Sequence, residues 1–257
     1  MDRTDRLRLL ECPFDGVTMR SAVSRCVEWC LGPRVPHTVV TVNAAVVCMM
    51  RGDDTLREAC LRGDLIVADG MSVVWTSRLA GVPLPERVAG VDMMAKLLEA
   101  ASLHRLRVYF LGARREVVQE LARRCGYEYP GLVVAGARDG YFGAAEHERV
   151  VEDIRRAAPH MLFVGMPSPF KETWCERNKA ALDVPVIMGV GGAFDVLAGY
   201  VRRAPRVVQS VGMEWSWRLA MEPRRMLKRY LLTNSEYLWL AAGEILRREV
   251  GPARRTH

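Results

Sequence analysis

The 257-residue sequence contains no G-x4-G-K-[ST], no H-E-x-x-H, no paired C-x-x-C and no G-x-S-x-G. These absences exclude a P-loop NTPase, a zinc hydrolase and a serine hydrolase, because each chemistry needs its ligands or nucleophile at that spacing. No uninterrupted apolar run reaches the ~20 residues of a transmembrane helix. The N-terminal stretch MDRTDRLRLL is charged and lacks the apolar centre of a signal peptide. Seven cysteines (Cys12, Cys26, Cys30, Cys48, Cys60, Cys125, Cys175) show one C-x3-C and no other ligand spacing. An odd, scattered set reads as reduced thiols, mostly small core residues, and places the protein in the cytoplasm. His37, His104, His147, His160 and His257 also lack ligand spacing and read as surface or packing residues. No internal repeat or low-complexity segment occurs.

Half of the residues are apolar and 26% are charged, enough to bury a substantial core. The formal net charge of +7 favours anionic partners: nucleotides, nucleic acid or anionic lipid. Much of that charge is concentrated at the end of the chain. From Glu214 to His257 there are nine Arg/Lys against five Glu, which supplies +4 of the +7, together with Trp215, Trp217 and Trp239. Aromatic and basic residues on helical segments suit a membrane-surface anchor. The alternative is a terminal helix docked on the core with its basic residues solvated. The change in composition divides the chain into 1–209 and a C-terminal helical appendage, 210–257.

Before that boundary, strand, turn and helix alternate. Phe14-Asp15-Gly16 reads as a turn, and helical spacing follows over 18–31. Apolar or β-branched runs predict strands over 37–43, 65–68, 107–111, 132–135, 161–164 and 185–188. Helices are expected from about 44 to 50, 53 to 62, 72 to 79, 91 to 103, 115 to 125 and 144 to 157. Another carries Lys171, Glu172 and Trp174. The order predicts an α/β, Rossmann-like fold with a largely parallel sheet flanked by helices on both faces.

Ligands in such sheets bind outside the carboxyl ends of the strands. Asp69 stands there, in Val67-Ala68-Asp69-Gly70. It reads either as a carboxylate offered to a ligand or as the cap of the helix starting near Met71. Thr41 and Asn43 end the preceding strand. Gly189-Val190-Gly191-Gly192 follows a strand and precedes a helix, as a phosphate-binding turn would. Phe194 stands where G-x-G-x-x-G requires its third glycine, and residues 211 to 213 read Val-Gly-Met where an acid belongs. A dinucleotide cofactor is therefore disfavoured, whereas a single nucleotide diphosphate is not. Asp53-Asp54 reads as a helix N-terminus rather than the metal-binding Asp-x-Asp of many sugar transferases. Without a metal, arginines and lysines would have to stabilise a nucleotide leaving group. Arg87 and Lys171 follow strands, and Arg218, Arg225 and Lys228 fit one helical face by spacing.

An ordered set of landmarks runs from about residue 12 to 232. It begins with Thr41-x-Asn43, Ala68-Asp69-Gly70 and Pro85-x-Arg87-x-x-Gly90-x-Asp92, followed by Phe110-Leu111-Gly112, Tyr129-Pro130, Gly140-Tyr141-Phe142 and Val164-Gly165-Met166. It continues through Gly189-Val190-Gly191-Gly192-x-Phe194-Asp195, Arg203-Ala204-Pro205 and Glu214-Trp215 to Glu222-Pro223-x-Arg225 and Arg229-Tyr230. Together they resemble the WecG/TagA/CpsF family of bacterial glycosyltransferases, glycosyltransferase family 26. The resemblance implies a cofactor-free, metal-independent, inverting transfer from a UDP-sugar to a polyprenyl-diphosphate-linked saccharide at the inner membrane face, in cell-surface polysaccharide assembly. Asp69 would be the general base, Thr41 and Asn43 would line its pocket, and Arg87 would help hold the diphosphate. Gly189, Gly191, Gly192 and Asp195 would contact substrate, and the tail would touch the membrane and bring Arg218, Arg225 and Lys228 to the site. A homo-oligomer is compatible with the resemblance, though no stretch marks its interface.

Many members carry Gln where this chain has Lys171; as a substrate-binding residue the lysine would stabilise the leaving UDP near the diphosphate, contact a carboxylated sugar or signal a different donor, which leaves N-acetylmannosamine, its uronic acid and glucose open as donor sugars. A non-catalytic basic module, binding membrane or nucleic acid, is disfavoured because the special loops follow strand ends while the excess charge lies in the tail. An epimerase with a Rossmann cofactor is disfavoured by the broken glycine fingerprint.

Overall fold

A computed structural model describes residues 6–205, Val208, Trp217 and 223–250, with the side chains of 223–233, 249 and 250 left out of account. Two short strands, β1 (Leu7–Leu9) and β2 (Cys12–Phe14), form an antiparallel hairpin. Its turn residues Leu10 and Glu11 have φ of 51° and 62°. Leu-Glu lacks the Asn-Gly signature of such turns, so the sequence pattern does not reveal this hairpin.

Helix α1 (Met19–Leu31) follows, capped by Thr18 and Ser21 in a reciprocal capping box. Then come β3 (His37–Val42), α2 (Ala44–Gly52), α3 (Asp54–Leu61), β4 (Leu65–Ala68), α4 (Met71–Leu79) and α5 (Gly90–Leu103). The second half contains β5 (Arg107–Gly112), α6 (Arg115–Glu128), β6 (Val133–Arg138), α7 (Ala144–Ala157), β7 (Met161–Gly165), α8 (Phe170–Leu182), β8 (Val186–Gly189) and α9 (Ala193–Leu197). A C-terminal helix spans Pro223–Val250. Asp53 caps α3 by accepting from the Leu56 amide, and Asp54 pairs with Arg57. The two carboxylates thus serve a helix start, as expected.

The six-stranded sheet is entirely parallel, in the order β4-β3-β8-β7-β5-β6. Alternate strand residues serve opposite faces, as a period of two requires. Val39, Val67, Phe110, Phe163 and Met188 pack beneath α1, α5, α6 and α9. On the other face, Val40, Val42 and Ile66 meet α2, α3, α4 and the hairpin, while Leu111, Leu162 and Ile187 meet α7 and α8. Strand β6 runs on through Gly136 to Arg138, past the expected end at Ala135. A side chain on Gly136 would begin 2.3 Å from the Tyr109 ring, so this glycine admits a neighbouring aromatic instead of breaking the strand.

The C-terminal helix packs on α2 and α4, with Tyr237, Leu240 and Ala241 buried in the same cluster as Val46 and Val73. All seven cysteines are free and buried. No helix among the described residues is long and apolar enough to cross a membrane.

Asp15 closes the open edge of β4. Its amide donates to the Ile66 carbonyl at 2.9 Å, and its carboxylate accepts from the Ile66 amide at 2.8 Å. The same carboxylate lies 3.2 Å from Arg6 Nε and 3.4 Å from Arg25 Nη1, and Asp15 is buried. Removing it strands the buried Arg6 guanidinium, a loss of about 3 kcal/mol or more. Asp15→Ala is therefore expected to lower the thermal midpoint by roughly 5–10 °C, read by circular dichroism; an unchanged midpoint would show that the hairpin contributes little.

Candidate active site

Parallel pairing sets the carboxyl ends of β3 and β4 side by side, with Thr41 opposite Val67 and Val42 opposite Ala68. The Asp69 amide extends the ladder by donating to the Val42 carbonyl at 2.9 Å. The loop after α4 returns to the same edge, where the Val88 amide donates to the Ala68 carbonyl at 2.9 Å. Glu86 fastens this loop from outside by accepting from the Met19 amide at the start of α1. Gly90 is thereby brought over the strand ends.

A side chain on Gly90 would begin 3.4 Å from Thr41 Cγ2, 3.6 Å from Thr41 Oγ1 and 3.5 Å from Asp69 Oδ2. Thr41 and Asp69 thus converge on one corner at Gly90, where a side chain would sit in contact with both. Asn43 borders it: its Cβ lies 3.6 Å from where a side chain on Gly70 would begin. The Asn43 side chain accepts from the Val46 amide at 3.1 Å and so caps α2. Helix α4 is capped by Gly70 with no side-chain hydrogen bond, so Asp69 is not its cap.

Strand β8 closes the corner on the far side of β3. Thr41 Oγ1 lies 3.5 Å from the Gly189 carbonyl, a long contact. The chain then turns through Gly191, at φ 52°, into α9, which is only five residues long. Asp195 lies within α9, and its carbonyl accepts the amides of Tyr200 and Val201. The contacts described above do not join its side chain to the Thr41–Asp69 corner.

Lys171 is the second residue of α8 and is buried, 6% exposed. Its stem runs 3.2–3.4 Å from where a side chain on Gly189 would begin, so glycine there makes room for the lysine. Its ammonium pairs with Glu172 and donates to Ser168 Oγ at 2.7 Å, and Ser168 donates to Glu172 at 2.7 Å. Lys171 therefore already has a counter-charge beneath the glycine turn. Beside it, a pocket of about 10 Å³ is lined by Thr38, Thr41, Lys171, Glu172 and Glu176. Glu172 Oε2 and Glu176 Oε2 are buried without hydrogen-bond partners, so the pocket has the size and polarity of a single-water site.

Arg87 is largely buried and lies 3.7 Å from Asp92, which also receives Arg203 in a two-pronged ion pair with one contact of 2.7 Å. This link ties the loop before α5 to the segment after α9, residues 111 positions apart, and sequence spacing could not disclose it. The Arg87-x-x-Gly90-x-Asp92 spacing does carry a local signal, since it places both charges at the start of one helix. Ser168 and Glu172 are the partners of Lys171, a pairing that the sequence pattern does not disclose. Arg218 lies outside the described residues, as do the side chains of Arg225 and Lys228.

Three of the histidines have structural partners. His37 stacks on Trp29 at 4.1 Å, His147 bonds Asn178 at 2.9 Å, and the His160 ring accepts from the Arg107 amide at 3.0 Å. Burial, with Arg34 and Arg107 nearby, holds the His160 pKa below its ordinary value.

A carboxylate and a hydroxyl at the carboxyl ends of adjacent parallel strands, beside a glycine turn, can deprotonate an incoming hydroxyl while a phosphate ester is held nearby. Comparison with known proteins identifies the family. The family model for the glycosyl transferase WecG/TagA/CpsF family matches residues 7–251. An N-acetylglucosaminyldiphosphoundecaprenol N-acetyl-beta-D-mannosaminyltransferase of Bacillus spizizenii is 34% identical over 192 residues, 74% of this chain and 74% of the relative. Proteins of the same name from Bacillus subtilis and Staphylococcus aureus are 30% and 31% identical, covering 86% and 87% of this chain and 88% and 87% of their own lengths. With its parallel sheet, its ordered motifs and these relatives, the chain belongs to the WecG/TagA/CpsF family of glycosyltransferases.

Proposed function

We propose that this glycosyltransferase moves N-acetylmannosamine from a UDP-sugar to a polyprenyl-diphosphate-linked N-acetylglucosamine, with inversion and without a metal. The observation that carries the reading is the convergence of Thr41, Asp69 and Gly90 at the carboxyl ends of β3 and β4. The sugar and acceptor come from the names of the relatives. A β-linked product from an α-linked nucleotide donor requires inversion, which needs one base and no nucleophilic carboxylate. The uronic acid of N-acetylmannosamine and glucose are the other donors to compare.

In this reading Asp69 accepts the acceptor hydroxyl proton as that oxygen attacks the anomeric carbon and the bond to UDP breaks. Thr41 and Asn43 shape the pocket, and Asn43 is held in place by its bond to α2. Gly189, Gly191 and Gly192 offer backbone to the diphosphate. Arg87 supplies positive charge from its place beside Asp92. Lys171, paired with Glu172, supports the glycine turn from below. The tail from residue 210 onward, with Arg218, Arg225 and Lys228, brings cations to the leaving group and holds the enzyme at the cytoplasmic face of the membrane. Asp195 is assigned to the donor side.

Asp69→Asn preserves shape and removes the base, so acceptor-dependent UDP release is expected to fall by about a hundredfold or more with an unchanged thermal midpoint. Near-normal turnover in that variant would sink the role. Gly90→Ala is a second test. A methyl group there meets its neighbours at ordinary contact distance but fills the corner in front of Asp69. Turnover is expected to drop roughly tenfold while the protein folds normally, about 1.4 kcal/mol in the barrier. Full activity in Gly90→Ala would show that the substrate does not approach through this corner.

A further inference from the structure

Helix α4 begins two residues after Asp69, and its outer side is unusual for a soluble surface. Trp75 and Leu79 are 45% and 68% exposed, and Arg78 is exposed between them. Positions 75, 78 and 79 share one helical face. No acidic residue occurs from Met71 to Pro85. The neighbouring C-terminal helix also exposes large apolar residues, Leu238, Trp239 and Leu246 at 67%, 74% and 59%, and it carries the exposed Glu236 and the Glu244–Arg248 pair as well.

The two helices are joined through a buried polar link. Thr76 donates to the Ser72 carbonyl at 2.9 Å, which leaves its oxygen to accept from the Tyr237 hydroxyl at 3.0 Å. Burial pushes the Tyr237 pKa up to about 12, so that hydroxyl keeps its proton at physiological pH. Each linking residue flanks the exposed set on its own helix: Thr76 follows Trp75, and Tyr237 precedes Leu238 and Trp239.

We propose that Trp75, Arg78 and Leu79 of α4, with Leu238, Trp239 and Leu246 of the C-terminal helix, form one lipid-facing surface that seats in an anionic bilayer. Tryptophan, leucine and arginine with no carboxylate among them on α4 is the composition of an interfacial helix face. Position supports the same occupant. Met71 and Leu79 are eight residue steps apart, about 12 Å along the axis. A helix that buries one side face lies in the plane of the interface. Seating α4 therefore keeps Asp69, two residues before it, within about 12 Å laterally of the lipid-seated face, at the level where the diphosphate-linked sugar of a lipid acceptor stands. The inference deepens the proposed function and rests on its lipid-linked acceptor. It moves part of the membrane contact from the tail to the element that leads directly out of the site.

The burial of all seven native thiols permits a selective test. Burial pushes every one of them up, to about 12 at Cys12, Cys30 and Cys125, so they stay protonated and unreactive near neutral pH. Leu79→Cys in the full chain is labelled with an environment-sensitive dye and mixed with phosphatidylglycerol–phosphatidylcholine vesicles. A matching label at Tyr127→Cys, on α6 and 85% exposed, is the control. The emission at 79 is expected to shift to the blue with vesicles while that at 127 stays unchanged. Leu79→Glu is expected to lower the fraction sedimenting with vesicles by roughly tenfold, with an unaltered thermal midpoint.

Sedimentation without a shift at 79 would mean that the tail alone anchors the protein, and would overturn the inference. A shift without vesicles that grows with protein concentration would assign the face to a second copy and overturn it as well. Equal shifts at both sites, or no sedimentation at all, would have the same consequence. Failure of sugar transfer with every donor would refute the proposed function instead, and it is read in a separate assay.

Discussion

The hydrogen bond from the Asp69 amide to the Val42 carbonyl, 2.9 Å long, is the link on which the site depends. It continues the β3–β4 ladder one step past the last strand residue, so Asp69 leaves the sheet at the level of Thr41 and Asn43. Because the strands are parallel, their carboxyl ends and the turns that follow lie on one edge. The Val88 bond to Ala68 then folds the loop after α4 over that edge and brings in Gly90. Each step uses backbone groups that would otherwise be unsatisfied. The corner is thus held by the sheet itself, with no side-chain bond needed to place the carboxylate's main chain.

Charge is arranged around this edge in paired form. Asp92 holds Arg87 and Arg203 together, and Glu172 holds Lys171 beneath Gly189. The Lys171–Glu172 pair is buried and the Asp92 cluster half-buried, and pairs of either kind add little net stability. What they secure is position: the first ties the loop before α5 to the segment after α9, and the second fills the space under the glycine turn. An arginine held by a carboxylate in the free enzyme can share its donors with a diphosphate without travelling. Lys171 is matched by a neighbouring glutamate and serine.

Much of the architecture is legible in the sequence. The β-branched run at 37–42, the apolar run at 161–164, the helix start at Asp53-Asp54 and the glycines after strand ends each signal their element by a local rule. The positions of Thr41, Asn43 and Asp69 at strand ends follow from the same pattern, and strand ends of a parallel sheet are where ligands bind. What escapes is non-local or disguised. The Leu10–Glu11 hairpin has no turn signature, and Gly136 resembles a strand end because its covering ring, Tyr109, belongs to another strand. The Asp92–Arg203 pair spans 111 positions, and the lock between Tyr237 and Thr76 spans 161. The tail poses a choice between a docked helix and an anchor. Its residues 234–248 do dock, through Tyr237, Leu240 and Ala241, while Leu238 and Trp239 face outward.

The central claim is metal-free transfer of N-acetylmannosamine at the Asp69 corner. The most direct test is UDP release from UDP-N-acetylmannosamine with a polyprenyl-diphosphate-N-acetylglucosamine analogue in the presence of EDTA. The corresponding uronic acid and glucose donors are run alongside. The account predicts release that requires the acceptor, survives EDTA and is fastest with N-acetylmannosamine. Release abolished by EDTA and restored by a divalent cation, or no acceptor-dependent release with any donor, would contradict it.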